Sequence, residues 1–177
     1  MLKRSVLALA LLAALPAAQA SELSYNFLEI GLGRIDPEGA GSSDTWGLEG
    51  SLGVTENFFL RARYEQLDAP GSNPDGWSIG AGVNLAIGDS TDFVLAADYG
   101  DSEGLDFWNV DGGVRTAFGE SFEGWFGVGY TDPEGGSGDF YGFGRLHLRF
   151  NEALGATLNL QLGDDATSYG VGLRVTF

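Results

Sequence analysis

The 177-residue chain carries 25 Asp and Glu against nine Lys and Arg, a formal net charge of -16, and no cysteine. This balance disfavours binding to nucleic acid through phosphate contacts, and without thiols neither a disulfide framework nor a thiolate metal site can form. Stability must come from backbone pairing and side-chain packing.

Residues 1–20 read as a secretory signal peptide. Lys3 and Arg4 supply the charged start, Val6 to Leu15 is apolar, and Ala18-Gln19-Ala20 is a small-x-small cleavage site. A spanning helix would need about 20 apolar residues, and this run is shorter and interrupted by Pro16. Residues 21–177 then suit one domain, a single β-structure.

Alternation between turn signals predicts ten strands. Leu23 to Arg34 sets Leu28, Ile30 and Leu32 against Glu29, Gly31 and Gly33, and a loop follows to Asp44. Thr45 to Val54 opposes Trp46, Leu48, Leu52 and Val54 to Glu49 and Ser51. Phe58 to Leu67 alternates Leu60, Ala62 and Tyr64 with Arg61, Arg63 and Glu65. After the proline-containing loop Asp68 to Gly76, Trp77 to Ile87 has the cleanest alternation of all. Phe93 to Tyr99 points Asp98 to its polar side, before an acidic loop, Gly100 to Asp106. Phe107 to Phe118 sets Trp108, Val110 and Val114 against Asn109, Asp111 and Arg115, and Phe122 to Thr131 opposes Phe126, Val128 and Tyr130 to Glu123 and Trp125. Phe140 to Phe150 carries Tyr141, Phe143, Arg145, His147 and Arg149 on its polar side. Ala153 to Gly163 sets its leucines against Thr157, Asn159 and Gln161. The last strand, Thr167 to Phe177, alternates Tyr169, Val171, Leu173, Val175 and Phe177 with Ser168, Gly170, Gly172, Arg174 and Thr176.

An even number of half-apolar strands, each about ten residues long, matches an antiparallel up-and-down transmembrane β-barrel. Such a sheet must close, because an open edge cannot survive in lipid. Connections after odd strands are mostly long or acidic and those after even strands short, the asymmetry of outer loops and periplasmic turns. Merging two weakly alternating segments would leave eight strands. Aromatic residues collect at strand ends: Phe58, Phe93, Phe118, Phe122 and Phe150 at the periplasmic side, and Trp46, Tyr64, Trp77, Tyr99, Trp108, Tyr130 and Phe140 at the outer side. Amphipathic rings favour the two membrane interfaces. A soluble sandwich would not order these rings by chain direction; a soluble barrel with a lipocalin-like pocket is the other alternative.

Glu29, Glu49, Glu65, Asp98, Asp111 and Glu123 share the faces opposite the apolar ones with Arg61, Arg63, Arg115, Arg145, Arg149 and Arg174, and His147 lies between two of those arginines. This predicts a lumen of interlocking ion pairs, since buried charges are tolerated when paired and hydrogen-bonded. Glu29, on the strand that closes against the last one, is the expected partner of Arg174, and Glu123 that of Arg115 across a tight turn. Eight strands leave room only for side chains, so ten should be nearly plugged.

The outer loops are acidic and could weakly bind divalent cations, shared with lipopolysaccharide, but no stretch has the spacing of a calcium-binding loop. No cofactor is expected. A GxSxG elbow is absent, and His147, the single histidine, is poorly placed for the chemistry of known barrel hydrolases.

The mature start SELSYNFLEIGLGRID and the ending YGVGLRVTF resemble small outer-membrane barrels of Gram-negative bacteria, of the OmpX and opacity-type class, and are similar to a xanthomonad-type barrel group. In that class the ending, Tyr169, Val171, Leu173, Val175 and Phe177, resembles the signal read by the barrel-insertion machinery. The resemblance implies outer-membrane localisation, contact with outer-membrane lipid, lipopolysaccharide and periplasmic chaperones, a monomer, and a non-enzymatic structural or surface-interaction role. A small ion or solute channel is the alternative, and an outer-membrane hydrolase the third.

Overall fold

Strict alternation gives every strand one apolar and one polar face, and closing the sheet sends one of them inward. In a computed structural model describing residues 23–68 and 73–177, ten antiparallel strands form a closed barrel. They are β1 (Phe27–Pro37), β2 (Ser43–Thr55), β3 (Phe58–Asp68), β4 (Asp75–Gly88), β5 (Thr91–Ser102), β6 (Leu105–Phe118), β7 (Phe122–Pro133), β8 (Asp139–Arg149), β9 (Leu154–Gly163) and β10 (Ala166–Thr176). Each strand pairs with its sequence neighbours, and β1 pairs with β10 from Phe27↔Thr176 to Pro37↔Ala166. The strand count is ten rather than eight. The segment read as a signal peptide lies outside the described residues.

The polar face turns inward and the apolar face outward, the inverse of a soluble protein. Val128 is 67% exposed and Phe140 70%, whereas Glu29, Asp98, Asp111, Arg115, Glu123 and Arg174 are buried. A continuous apolar exterior of this kind is a lipid-facing surface. At the end away from the termini, called here the loop end, outward rings pack in neighbouring pairs. Trp46 and Tyr64 lie 5.5 Å apart, Tyr99 and Trp108 5.0 Å, and Tyr130 and Phe140 4.8 Å. At the terminal end Phe58 and Phe122 begin strands, Phe118 ends one, and Phe93 lies two residues inside β5.

The inner face is filled by a recurring arrangement in which a large side chain lies over a glycine of the adjacent strand. Phe59 covers Gly82, Tyr141 covers Gly129 and Phe143 covers Gly127, each pair being direct cross-strand partners. A Cβ placed on Gly127 would sit 2.8 Å from the Phe143 ring. Glycine thus makes room for the ring, and the ring covers backbone that glycine alone would leave bare.

Three expectations need correction. Leu23 to Asn26 are not part of the first strand, which starts at Phe27; they turn into the terminal mouth, where Leu23 and Asn26 are buried. Alternation cannot distinguish a strand from a segment whose side chains are held by the lumen. The stretch Gly100 to Asp106, expected as an acidic loop, is mostly strand: Asp101 pairs with Asp106 and Ser102 with Leu105 around a two-residue turn. Glu103 and Gly104 have φ of 55° and 81°, as a type I′ hairpin requires, and that geometry prevails over composition. The outer connections are generally shorter than expected because the strands run past the lipid band, β4 beginning at Asp75 and β7 reaching Pro133. Replacing Gly104 by Val, which resists positive φ, is expected to cost about 1–2 kcal/mol, read as a lower urea midpoint of the folded barrel in micelles.

Candidate functional site

The lumen divides into a filled half at the terminal end and an open vestibule at the loop end. In the filled half, the chain before β1 acts as a stopper. The Tyr25 ring stacks on Phe59 with centroids 4.9 Å apart, and its hydroxyl donates to Asp92 Oδ2 at 2.7 Å. Arg115 holds the segment from above, its guanidinium 4.4 Å from the Tyr25 ring centre and its Nη2 donating to the Ser24 carbonyl at 2.8 Å. The same arginine donates from Nε to Glu123 Oε1 at 2.7 Å, one diagonal step away because Glu123 is registered with Ala117. His147 is buried with Nδ1 3.7 Å from Glu123 Oε2. Val94 has no exposed surface, and Phe59 and Ala96 pack around it.

At mid-height, side chains span the lumen. Glu29 accepts from Arg174 Nε at 2.9 Å across the β1–β10 seam, from Thr157 at 2.8 Å and from Asn159 at 3.4 Å. Arg174 also lies over the Phe27 ring, 3.8 Å from its centre. Arg61 on β3 reaches both Asp98 on β5 and Asp111 on β6, donating from Nε to Asp98 at 2.6 Å. Asn109 donates to both of those carboxylates at 3.2 Å and accepts from the Tyr141 hydroxyl at 2.7 Å. Arg145 on β8 crosses to Glu49 on β2 with a two-pronged contact of 2.9 and 2.8 Å, and its Nε donates to Asn159 at 2.6 Å. Arg63 makes a longer 3.2 Å contact to the same Glu49. The planar fork of arginine suits these two-carboxylate and two-pronged contacts, which a lysine could not reproduce.

Above this layer lies a cavity of about 210 Å³, lined by Arg63, Glu65, Trp125, Tyr141, Phe143 and Arg145 among others. Arg63, with 48% of its side chain exposed, looks into it. Near its mouth, on the outward face of β1 and β2, Arg34 pairs with Asp44 at 2.7 Å. Among the described residues, no three His, Cys, Asp or Glu side chains converge as a metal site would need.

Two expected members of the network stand apart. Among the described residues, Glu65 makes no ion pair, since its strand neighbours are Gly47 and Gly76. Arg149 faces Gly155 on β9 and its buried Nε has no hydrogen-bond partner. Conversely, Tyr25, Asn84, Asp92, Asn109, Thr157 and Asn159 complete the network although sequence reasoning did not place them in it. Asp92 lies just before the expected fifth strand, Phe93 to Tyr99, and it stands one position before Phe93 in the same alternation, which is the signal that points it inward.

No family profile and no curated protein matches the chain by sequence. Solved structures match it in fold. The KdgM porin in complex with disordered oligogalacturonate superposes with a TM-score of 0.55 at 11% identity, over 84% of this chain and 99% of that one. The COG4313 outer membrane channel from Pseudomonas putida F1 gives 0.55 at 8% identity, over 92% and 100%. The translocator domain of the autotransporter NalP from Neisseria meningitidis gives 0.52 at 10% identity, over 99% and 95%. At these identities the likeness is one of fold, and the fold is that of outer-membrane β-barrels.

Proposed function

We propose that this chain is an integral outer-membrane protein of a Gram-negative bacterium with a non-conducting lumen, a non-enzymatic structural or surface-interaction role, and a vestibule facing the cell exterior. The orientation follows the rule that both termini and the short turns lie on the periplasmic side. The observation that carries the reading is the filled terminal half. Leu23, Tyr25, Phe59 and Val94, together with the Arg115–Glu123 pair, occupy the section through which a solute would have to pass. Lipid, lipopolysaccharide and the insertion machinery are its natural partners, the last through the outward face ending at Phe177.

Planar-bilayer recording tests the reading. The wild-type barrel is expected to give no steady unitary currents, and steady currents that change when Arg61 or Arg63 is replaced would replace it with a channel. That second reading is favoured by the vestibule, which already reaches mid-height, and by a fold shared with porins. Phe177→Ala, which keeps the backbone amide, is expected to reduce heat-modifiable, folded protein in the outer membrane while leaving refolding from urea into micelles unchanged. Equal loss in both assays would assign the residue to stability alone.

A further inference from the structure

The vestibule contains two opposite charges whose bonding capacity its own walls leave largely open. Arg63 and Glu65 are inward residues two positions apart on β3, so their Cα atoms stand about 7 Å apart. Arg63 has one 3.2 Å contact, to a Glu49 already held by both prongs of Arg145, and nearly half its side chain is exposed. Glu65 is half-buried and, among the described residues, has no ion pair. Across the lumen, on β7 and β8, an aromatic wall lines the same cavity. Phe143 packs edge-on against Trp125 at 5.4 Å between centroids and lies 6.3 Å from Tyr141.

The geometry points to a binding site for a small zwitterion carrying a flat apolar group, such as an aromatic α-amino acid. Its carboxylate would accept from Arg63, its ammonium would donate to Glu65, and its ring would lie against Phe143 and Tyr141. A simple anion would leave Glu65 unpaired beside it, and a simple cation would face Arg63. The zwitterion complements both, which is how paired charges give selectivity. Net charge at the entrance acts in the same direction. The loop end is rich in carboxylates, whose field extends about 8 Å at physiological salt and repels anions but not a molecule of zero net charge. The cavity of about 210 Å³ has room for a ligand of this size. The inference rests on the lumen being open at the loop end, not on its being closed at the other.

The test is isothermal calorimetry on the folded full-length barrel in micelles, blanked against empty micelles, with three probes: L-phenylalanine, 3-phenylpropionate and 2-phenylethylamine. Saturable binding of L-phenylalanine is expected, with each analogue about 10- to 100-fold weaker, the effect of one hydrogen bond between charged groups. Arg63→Gln should bring L-phenylalanine down to the level of the amine, and Glu65→Gln down to that of the acid. Both side chains lie in the vestibule rather than the packed half, and heat-modifiable migration confirms folding of each variant. No saturable heat with L-phenylalanine, equal binding of all three probes, or an order of affinities unchanged by both substitutions would overturn the inference. Binding in a barrel that conducts would leave it standing and remove only the non-conducting reading.

Discussion

Replacing Arg174 by Met is expected to lower the stability of the folded barrel by about 3–5 kcal/mol, the usual loss when one member of a buried ion pair is removed. Arg174 is 2% exposed, and its contacts are the Glu29 carboxylate at the seam and the Phe27 ring. Methionine keeps much of the stem that packs there, so the loss isolates the charge. Without the guanidinium, Glu29 retains donors from Thr157 and Asn159 but loses the cation directly across the seam. The partner experiment is Arg174→Met with Glu29→Leu. Removing both charges is often close to neutral, although Thr157 then lacks its acceptor, so the double variant should recover at least half of the loss. Urea titration in micelles reads both. A single variant within about 0.5 kcal/mol of wild type, the range of an ordinary surface substitution, would show that the pair does not hold the seam.

Arg61→Leu is expected to be comparably severe for a different reason. One guanidinium serves two carboxylates, Asp98 and Asp111, both buried and both also bound by the Asn109 amide. Leucine leaves two like charges facing each other with one neutral donor between them, and about 3–5 kcal/mol should be lost. Adding Asp98→Asn to the variant removes the repulsion and supplies a donor for Asp111, so part of the stability should return. Failure of that rescue, with the single variant still destabilised, would assign the effect to packing of the arginine stem instead of to the carboxylate pair.

How far these groups are legible in the sequence depends on how local their cause is. Alternation alone locates all ten strands, because a side-chain period of two admits no intermediate answer. It also sends Arg174 inward opposite Glu29, since the seam register follows from the two outermost strands. The same logic places Glu123 near Arg115 across one short turn. Contacts across the lumen are another matter. Arg145 reaches Glu49 from a distant strand, and Arg61 passes over β4 to β5 and β6. Such contacts depend on the curvature and stagger of the closed sheet, which one strand's pattern does not carry. Tyr25 continues the alternation of β1 in sequence, yet it belongs to the stopper because Phe59 and Arg115 offer a better surface than another rung of ladder. Asp101 and Asp106 have the composition of a loop, but the Glu103-Gly104 turn makes them strand.

Asn26, the residue between stopper and first strand, gives the barrel a means of checking its own closure. Its side-chain oxygen accepts from the Gly53 amide of β2, and its carbonyl accepts from the amide of Phe177 just beyond β10. One residue thereby joins the first hairpin to the last strand made. A side-chain period of two forbids closure displaced by one residue but not by two, because a two-residue slip keeps every face correct. In a barrel closed two residues out of step, Phe177 would miss Asn26, while Arg174 would be carried away from Glu29. The wrongly closed form would keep its lipid-facing surface and lose these polar bonds in the same event. Discrimination between the two closures therefore resides in the polar bonds at the β1–β10 seam.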